Sequence, residues 1–188
     1  MVGPTKLTCK SVKQIRSTSA TRGRHHSQAL VVCKAGVVPA FRLRSAQPED
    51  HDTIVACVEA AYQGYIEDIG QKPAPMLDDY KALIRAEAIT VAVDGHDIAG
   101  LIVMWARRDN WYVDNVAVWP ERQGTGVGSV LLAQAEQMAR AAGLSEVQLY
   151  TNEAMSANTT YYEHRGFVET HRSVEAGYNR IYYSLALD

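Results

Sequence analysis

The chain is short of four things: long apolar runs, cysteine, phenylalanine and, in its first forty residues, acid. No hydrophobic stretch approaches the roughly eighteen consecutive apolar residues that a membrane-spanning helix requires, so no membrane association is expected. Its three cysteines, Cys9, Cys33 and Cys57, are odd in number and show no CxxC spacing. That pattern argues against a disulfide framework and against a zinc site, and it fits a reducing compartment. Only two phenylalanines occur against ten tyrosines, so most large aromatic side chains carry a polar tip. Seven of the 19 Lys/Arg and none of the 21 Asp/Glu fall in residues 1–40, so the remainder carries 12 basic against 21 acidic side chains. A body with that negative balance repels a phosphate backbone, which excludes nucleic acid as the expected partner.

What is present supports one folded unit. A chain of 188 residues with 47% apolar content buries one full core and is too short for two comfortable ones. Residues 1–37 form a basic, acid-free extension rich in Ser, Thr and Arg and without sustained periodicity. An organellar transit peptide has this composition, and so do a disordered basic tail and a translated segment ahead of the true start. The expected location is cytoplasmic, or the plastid or mitochondrial matrix if the extension is a transit peptide. Folding is expected over 38–188.

In that region strand and helix patterns alternate. "FRLRSA" (41–46) reads as a strand. Pro48, Glu49 and Asp50 form a helix start ahead of "DTIVACVEAAYQGY". "IEDIGQKPAPM" reads as a loop because of Gly70, Pro73 and Pro75, and a short helix follows in "LDDYKALIRA". "AITVAVDG" and "DIAGLIVMWA" form a hairpin turning at Asp94-Gly95. "WYVDNVAVW" alternates, which assigns Tyr112, Asp114, Val116 and Val118 to one face and Val113, Asn115 and Ala117 to the other. Beyond it come an amphipathic helix closed by Gly143, the strand "EVQLYT", a helix ending at Gly166, and the strands "FVETHR" and "RIYYSLAL". The order is mixed α/β, with an antiparallel hairpin first and a strand-helix-strand unit in the middle.

"ERQGTGVGSVLL" (121–132) places Gly124, Gly126 and Gly128 at alternate positions just ahead of a helix. A triphosphate-binding loop needs a lysine after its last glycine, and Ser129 stands there. A dinucleotide fingerprint nearly fits Gly124-x-Gly126-x-x-Ser129, with Glu146 where a ribose-binding acid would fall. However, its third glycine is missing and a hairpin precedes it. A third reading keeps an anion at the helix start: successive backbone N–H groups form a concavity that a pyrophosphate can approach where no side chains intervene.

Gln123-Gly124-Thr125-Gly126-Val127-Gly128 matches Gln/Arg-x-x-Gly-x-Gly/Ala, and "YYEHRGF" (161–167) matches an aromatic-Tyr-Glu-x-x-Gly-Phe run. On both motifs and their spacing the chain resembles the GCN5-related N-acetyltransferases (GNAT) over roughly residues 41–186. The resemblance implies a central mixed, mostly antiparallel sheet flanked by about four helices. A splayed pair of its strands would bind acetyl-coenzyme A as co-substrate, without a metal. The backbone of Val116, Ala117 and Val118 would take the acetyl carbonyl and pantetheine arm. Gln123, Gly124, Thr125, Gly126, Val127, Gly128 and Ser129 would hold the pyrophosphate, and Tyr162 would donate a proton to the departing thiolate. Asn158, one turn before Tyr162, would bond the pantetheine amide. The family's usual asparagine position is Met155 here, and Asn152 is a second candidate. Tyr150 stands where some relatives keep a glutamate base.

A general base is still needed, because an amine attacks only when neutral. Asp114 is the first candidate; Glu67 and Asp68, beside the proline loop, come next. His164 and His171 read as surface residues. The resemblance puts the 65–76 loop over the acceptor site, where Tyr65, Glu67 and Asp68 would favour a cationic amine. Trp105, Trp111 and Tyr112 are candidates to line the same cavity. The expected function is acetyl transfer to a primary amine of a small molecule or protein, by direct attack in a ternary complex. A non-catalytic acyl-coenzyme A sensor and, more distantly, an NAD oxidoreductase are the alternatives. A homodimer is left open.

Overall fold

A computed structural model describes residues 41–188 and, ahead of them, a short antiparallel pairing of Val32–Cys33 with Gly36–Val37. Apart from that pairing, the expected basic extension and its boundary near Val38 lie outside the described residues, as do the side chains of Cys9 and Cys33.

The chain enters through strand β1 (Arg42–Ser45) and a 3₁₀ turn at Pro48–Asp50. Asp50 fixes that corner: its carboxylate takes the Arg44 guanidinium at 2.5 and 2.9 Å and the Gln47 N–H at 2.7 Å. The arginine contact holds the Asp50 carboxyl below its usual range. Helix α1 (His51–Tyr62) follows and buries Ile54, Cys57, Val58 and Tyr62. The segment expected as a loop opens as helix α2 (Ile66–Ile69), closed by Gly70 at φ 79. The 3₁₀ turn Ala74–Leu77 leads to α3 (Tyr80–Arg85), whose first turn is capped by the Asp79 carboxylate on the Ala82 N–H. Glycine and proline interrupted this helical pattern without abolishing it.

Strands β2 (Ile89–Asp94) and β3 (Asp97–Ala106) form the expected hairpin, with Gly95 at φ 63. Then come β4 (Trp111–Val118), α4 (Val127–Ala141), β5 (Glu146–Asn152) and α5 (Ser156–His164). A closing hairpin joins β6 (Val168–Glu175) to β7 (Tyr178–Ala186). The seven-stranded sheet has the order β1-β2-β3-β4-β5-β7-β6, antiparallel everywhere except between β4 and β5. This is the mixed, mostly antiparallel sheet that was expected.

Two cores sandwich it. On one face α1 and α3 pack on Ile89, Val91, Leu101 and Val103; on the other, α4 and α5 pack on Ile102, Met104, Val147, Leu149 and Ile181. Helix α4 seats Val127, Leu131, Leu132, Ala135 and Ala139 almost without solvent contact. Each buried leucine contributes about 1.5–3 kcal/mol. Helix α4 therefore holds its N-terminus at a fixed height against β4.

Two irregularities in β4 shape everything near it. Val103 pairs with Asn115 and Met104 with Val113, so Asp114 is an extra residue, a β-bulge. On its other edge β4 pairs with β5 only from Trp111↔Val147 to Val113↔Leu149, and beyond Val113 the two parallel strands separate. The bulge corrects the expected alternation. Val113, Val116 and Val118 pack on the α4 side, whereas Ala117 joins the α1 core and Asn115 bonds its tyrosines. Asp114 and Val116 do not share a face, because the extra residue shifts the period-two pattern by one position.

Candidate active site

The separated strands and the helices over them bound two cavities. The larger, about 1090 Å³, is a groove lined by Val116 and Val118 of β4, Arg122 to Gly124, Gly126 to Ser129, and Tyr65, Asn158 and Tyr161. The smaller, about 520 Å³, lies between β4 and β5 under Ile69 and Pro73–Pro75, so the proline loop does overhang it. Tyr62, Val116, Asn158 and Tyr162 line both, and mark where the two meet.

The alternating glycines serve different ends. Gly124 and Gly126 take φ 74 and 94, a left-handed backbone that side chains resist, and an added Cβ at either would meet nothing within 4 Å. Gly128 lies inside α4 with ordinary φ, and a Cβ there would sit 3.2 Å from the Tyr161 hydroxyl. The first two set a conformation; the third admits a neighbouring helix. The first intrahelical bond of α4 runs from Val130 N–H to Gly126 O, so the N–H groups of Val127, Gly128 and Ser129, all residues that line the groove, lack helical partners.

Thr125 does not line the groove: its hydroxyl folds back onto the Arg122 carbonyl at 2.6 Å. Arg122, which sequence reasoning passed over, does line it and is tied to Asp94 at 2.9 Å. Its place next to Gln123 was the available signal. Gln123 is exposed, with its amide 3.4 Å from the Val118 carbonyl. Among the three β4 residues expected to bind the pantetheine arm, Val116 and Val118 face the groove. Ala117 is fully buried and its carbonyl is turned toward Gly100 of β3.

Tyr162 is buried on α5 beside Phe167 and Tyr183, and among the described residues its hydroxyl has no hydrogen-bond partner. Burial, then the neighbouring Tyr161 and Tyr65, push its pKa up, so it stays protonated at neutral pH. Asn158 donates to the Thr151 hydroxyl at 3.3 Å and lies 3.5 Å from the Met155 sulfur. Asn152 instead accepts the Ala154 N–H at 3.0 Å and shapes the turn before α5.

Asp114 reaches the smaller cavity beside Tyr150 and Arg180. Burial raises its carboxyl above the usual range, and the charges of Arg180 and Arg107 with the Tyr150 hydroxyl partly offset this. Asp78, exposed at the end of the 3₁₀ turn Ala74–Leu77, is pushed up to about 6, first by the loss of water around its carboxyl and then by the Asp114 charge. Behind Asp114 a buried chain runs from Tyr62, which donates to Asn115 at 2.6 Å, to Tyr80, which receives the Asn115 amide at 3.0 Å and donates to the Pro75 carbonyl at 2.7 Å.

Glu67 and Asp68 are exposed and line neither cavity; Asp68 borders a separate depression near Asn152 and Gly177. Tyr65 lines the groove and not the smaller cavity. None of Trp105, Trp111 and Tyr112 lines the smaller cavity either: Trp105 packs against Tyr112 at 5.4 Å, and Trp111 lies in the α4 core. His164 and His171 are exposed, the latter stacked on Tyr182.

Residues 85–169 match the family model of the acetyltransferase (GNAT) domain. The chain is 27% identical over 146 residues to the aminoalkylphosphonate N-acetyltransferase of Salmonella typhimurium, covering 72% of this chain and 90% of that protein. Its fold matches a GNAT-family protein of Desulfovibrio desulfuricans with a TM-score of 0.63 at 23% identity, over 78% of this chain and 98% of the other. It also matches the PaiA N-acetyltransferase of Thermoplasma acidophilum, solved with coenzyme A, with a TM-score of 0.59 at 16% identity, over 76% and 97% of the two chains. Residues 85–169 thus match the acetyltransferase (GNAT) domain, and the sheet with its glycine-led helix α4 has the fold of the GNAT-family structures.

Proposed function

We propose that the protein transfers the acetyl group of acetyl-coenzyme A to a primary amine by direct attack within a ternary complex. The observation that carries this is the meeting of two cavities at Tyr162: a groove floored by free helix N–H groups on one side, and a smaller chamber holding Asp114 on the other. The groove suits the coenzyme. Free N–H groups of Val127 to Ser129 and the helix dipole favour the pyrophosphate, with Arg122 adding charge. The open edge of β4 at Val116 and Val118 accepts the pantetheine arm as an added strand.

In the step itself the neutral amine attacks the thioester carbonyl, a C–N bond forms and the C–S bond breaks. Asp114, raised by burial, accepts the proton the amine loses, directly or through water. The Tyr162 hydroxyl donates to the departing sulfur. Asn115, with Tyr62 and Tyr80, positions the strand between them.

Free-thiol release against a panel of amines tests the reading, with Tyr162→Phe beside the native chain. Turnover is expected to fall by about 10²-fold or more in the variant, while the dissociation constant of coenzyme A, measured by calorimetry, stays within about twofold. Coenzyme binding without amine-dependent release would instead support the sensor alternative.

A further inference from the structure

Among the described residues two charged side chains line the smaller cavity, and they have opposite signs: Asp114 from the bulge of β4 and Arg180 from β7. Most of the remaining wall is tyrosine, proline and small polar groups, so these two charges dominate its field.

Arg180 is fixed in place. Its guanidinium lies over the Tyr150 ring, 4.3 Å from the centroid, and its Nη1 donates to Glu175 at 3.0 Å. Glu175 is held in turn by the hydroxyls of Ser173 at 2.7 Å and Tyr182 at 2.6 Å. The Nε of Arg180 is fully buried and, among the described residues, has no hydrogen-bond partner. A buried donor left unpaired is costly, and more so when charged. The pair with Glu175, whose side chain is 47% exposed, does not offset such a cost, because exposed ion pairs contribute little. The Nη1 corner is engaged and the Nε edge is free, and that edge takes a planar or tetrahedral anion in two parallel bonds.

We infer that Arg180 binds an anionic group on the acceptor, so that the molecule acetylated is a small zwitterion. Its primary amine faces Asp114, and its carboxylate or phosphonate, a few bonds away, meets the Nε edge of Arg180. This rests on the acetyltransferase reading and revises the acceptor expected from the 65–76 acids. With Glu67 and Asp68 outside the cavity and a guanidinium inside it, the second ammonium of a polyamine would meet a like charge. The roof of Ile69 and Pro73–Pro75 limits the chamber to a small acceptor.

The test uses the full chain with acetyl-coenzyme A and three amines of similar length: an ω-amino carboxylate, an aminoalkylphosphonate and an uncharged alkylamine, with a polyamine as the fourth arm. One or both anionic amines are expected to exceed the alkylamine and polyamine in kcat/KM, and the better of the two identifies the anion. Because loss of Arg180 also raises the Asp114 carboxyl, the comparison is made on the pH plateau above the acid limb, where Arg180→Gln is expected to lower kcat/KM for that amine by about 10- to 100-fold more than for the alkylamine, the value of a charge-assisted bond. Arg180→Lys, which keeps the charge and loses the fork, falls between them. Thermal melts of both variants identify any loss of folding, and the Lys variant then carries the comparison. Preference for the alkylamine or polyamine, or an equal loss for all amines in Arg180→Gln, overturns the inference and leaves the transferase reading standing. Thiol release with no amine overturns the transferase reading. Calorimetric binding of the same four amines to the coenzyme A complex then still decides the anion preference.

Discussion

The glycines at 126 and 128 look equivalent in sequence, and the structure predicts that alanine will separate them. At Gly126, φ 94 places an alanine outside the regions open to L residues, while nothing within 4 Å would clash with its Cβ. The whole cost is therefore backbone strain, about 1–2 kcal/mol, or a fall in melting temperature of roughly 2–8 °C for a domain of this size. If the backbone relaxes to escape the strain, it turns the N–H groups of Val127 and Gly128 away from the groove, and coenzyme affinity falls by roughly tenfold per 1.4 kcal/mol. At Gly128 the φ is ordinary and alanine gains up to about 1 kcal/mol of helix propensity. Against that stands a 3.2 Å approach to the Tyr161 hydroxyl, the far end of a side chain that can give way. Gly128→Ala is therefore expected within about 0.5 kcal/mol of the native chain. Thermal melts and calorimetric titration with coenzyme A measure both quantities. A neutral Gly126→Ala, or a Gly128→Ala that costs more than Gly126→Ala, would refute the assignment of one glycine to conformation and the other to packing.

Other consequences concern the smaller cavity. Arg107 lies outside the cavity over the Tyr112 ring and favours the Asp114 carboxylate, so Arg107→Gln removes a lowering influence. The Asp114 pKa then rises, and the acid limb of the kcat/KM profile moves to higher pH; an unmoved limb would mean that Asp114 is not the base. Asp78 holds its proton more tightly folded than unfolded, so it costs the fold nothing below its ordinary pKa of 3.8 and imposes its full penalty above about 6. Asp78→Asn should therefore raise stability in urea at pH 7 and not at pH 3.5, by under about 1 kcal/mol because the side chain is exposed. Asn115→Ala removes two buried hydrogen bonds and leaves a void, so denaturant melts should show a loss of about 2–4 kcal/mol.

The parts of the molecule that follow from local pattern were legible in the sequence. The Asp94-Gly95 turn, the heptad-like spacing of α4 and the two motifs around Gln123 and Tyr162 each depend on residues close together in the chain, and they led to the sheet, the groove and Tyr162. Asp114 reaches the smaller cavity through the bulge and not through the alternation that was expected. "YVDNVAV" alternates without a break, and an extra residue can be seen only by counting it against Val103 and Met104 on the neighbouring strand. Arg180 gave no signal because it acts with Tyr150 and Glu175, one from a different strand and the other across a hairpin. The acids at 67 and 68 illustrate the converse, since proximity in sequence to the overhanging loop did not bring them to the cavity.

The bulge and the splay coincide at one residue, and that coincidence explains how β4 can lose a neighbour in the middle of a sheet. Unpaired backbone groups are tolerated inside a protein only when something else bonds them. The Val116 carbonyl lies 3.3 Å from the Tyr62 hydroxyl, whose single proton goes mainly to Asn115 at 2.6 Å, and the Val118 carbonyl takes the Gln123 amide at 3.4 Å. Both contacts are long, so they hold the edge weakly and yield readily to a better partner. On the opposite edge, Gly100 of β3 leaves room that a side chain would fill: a Cβ there would come within 2.7 Å of the Ala117 carbonyl and 2.9 Å of Val127. This glycine lets α4 sit close over β4, which brings the helix N–H groups to the same groove as the yielding strand edge. Anion site and strand edge are thus set at a fixed separation by packing, as a ligand carrying both a pyrophosphate and an extended amide arm requires.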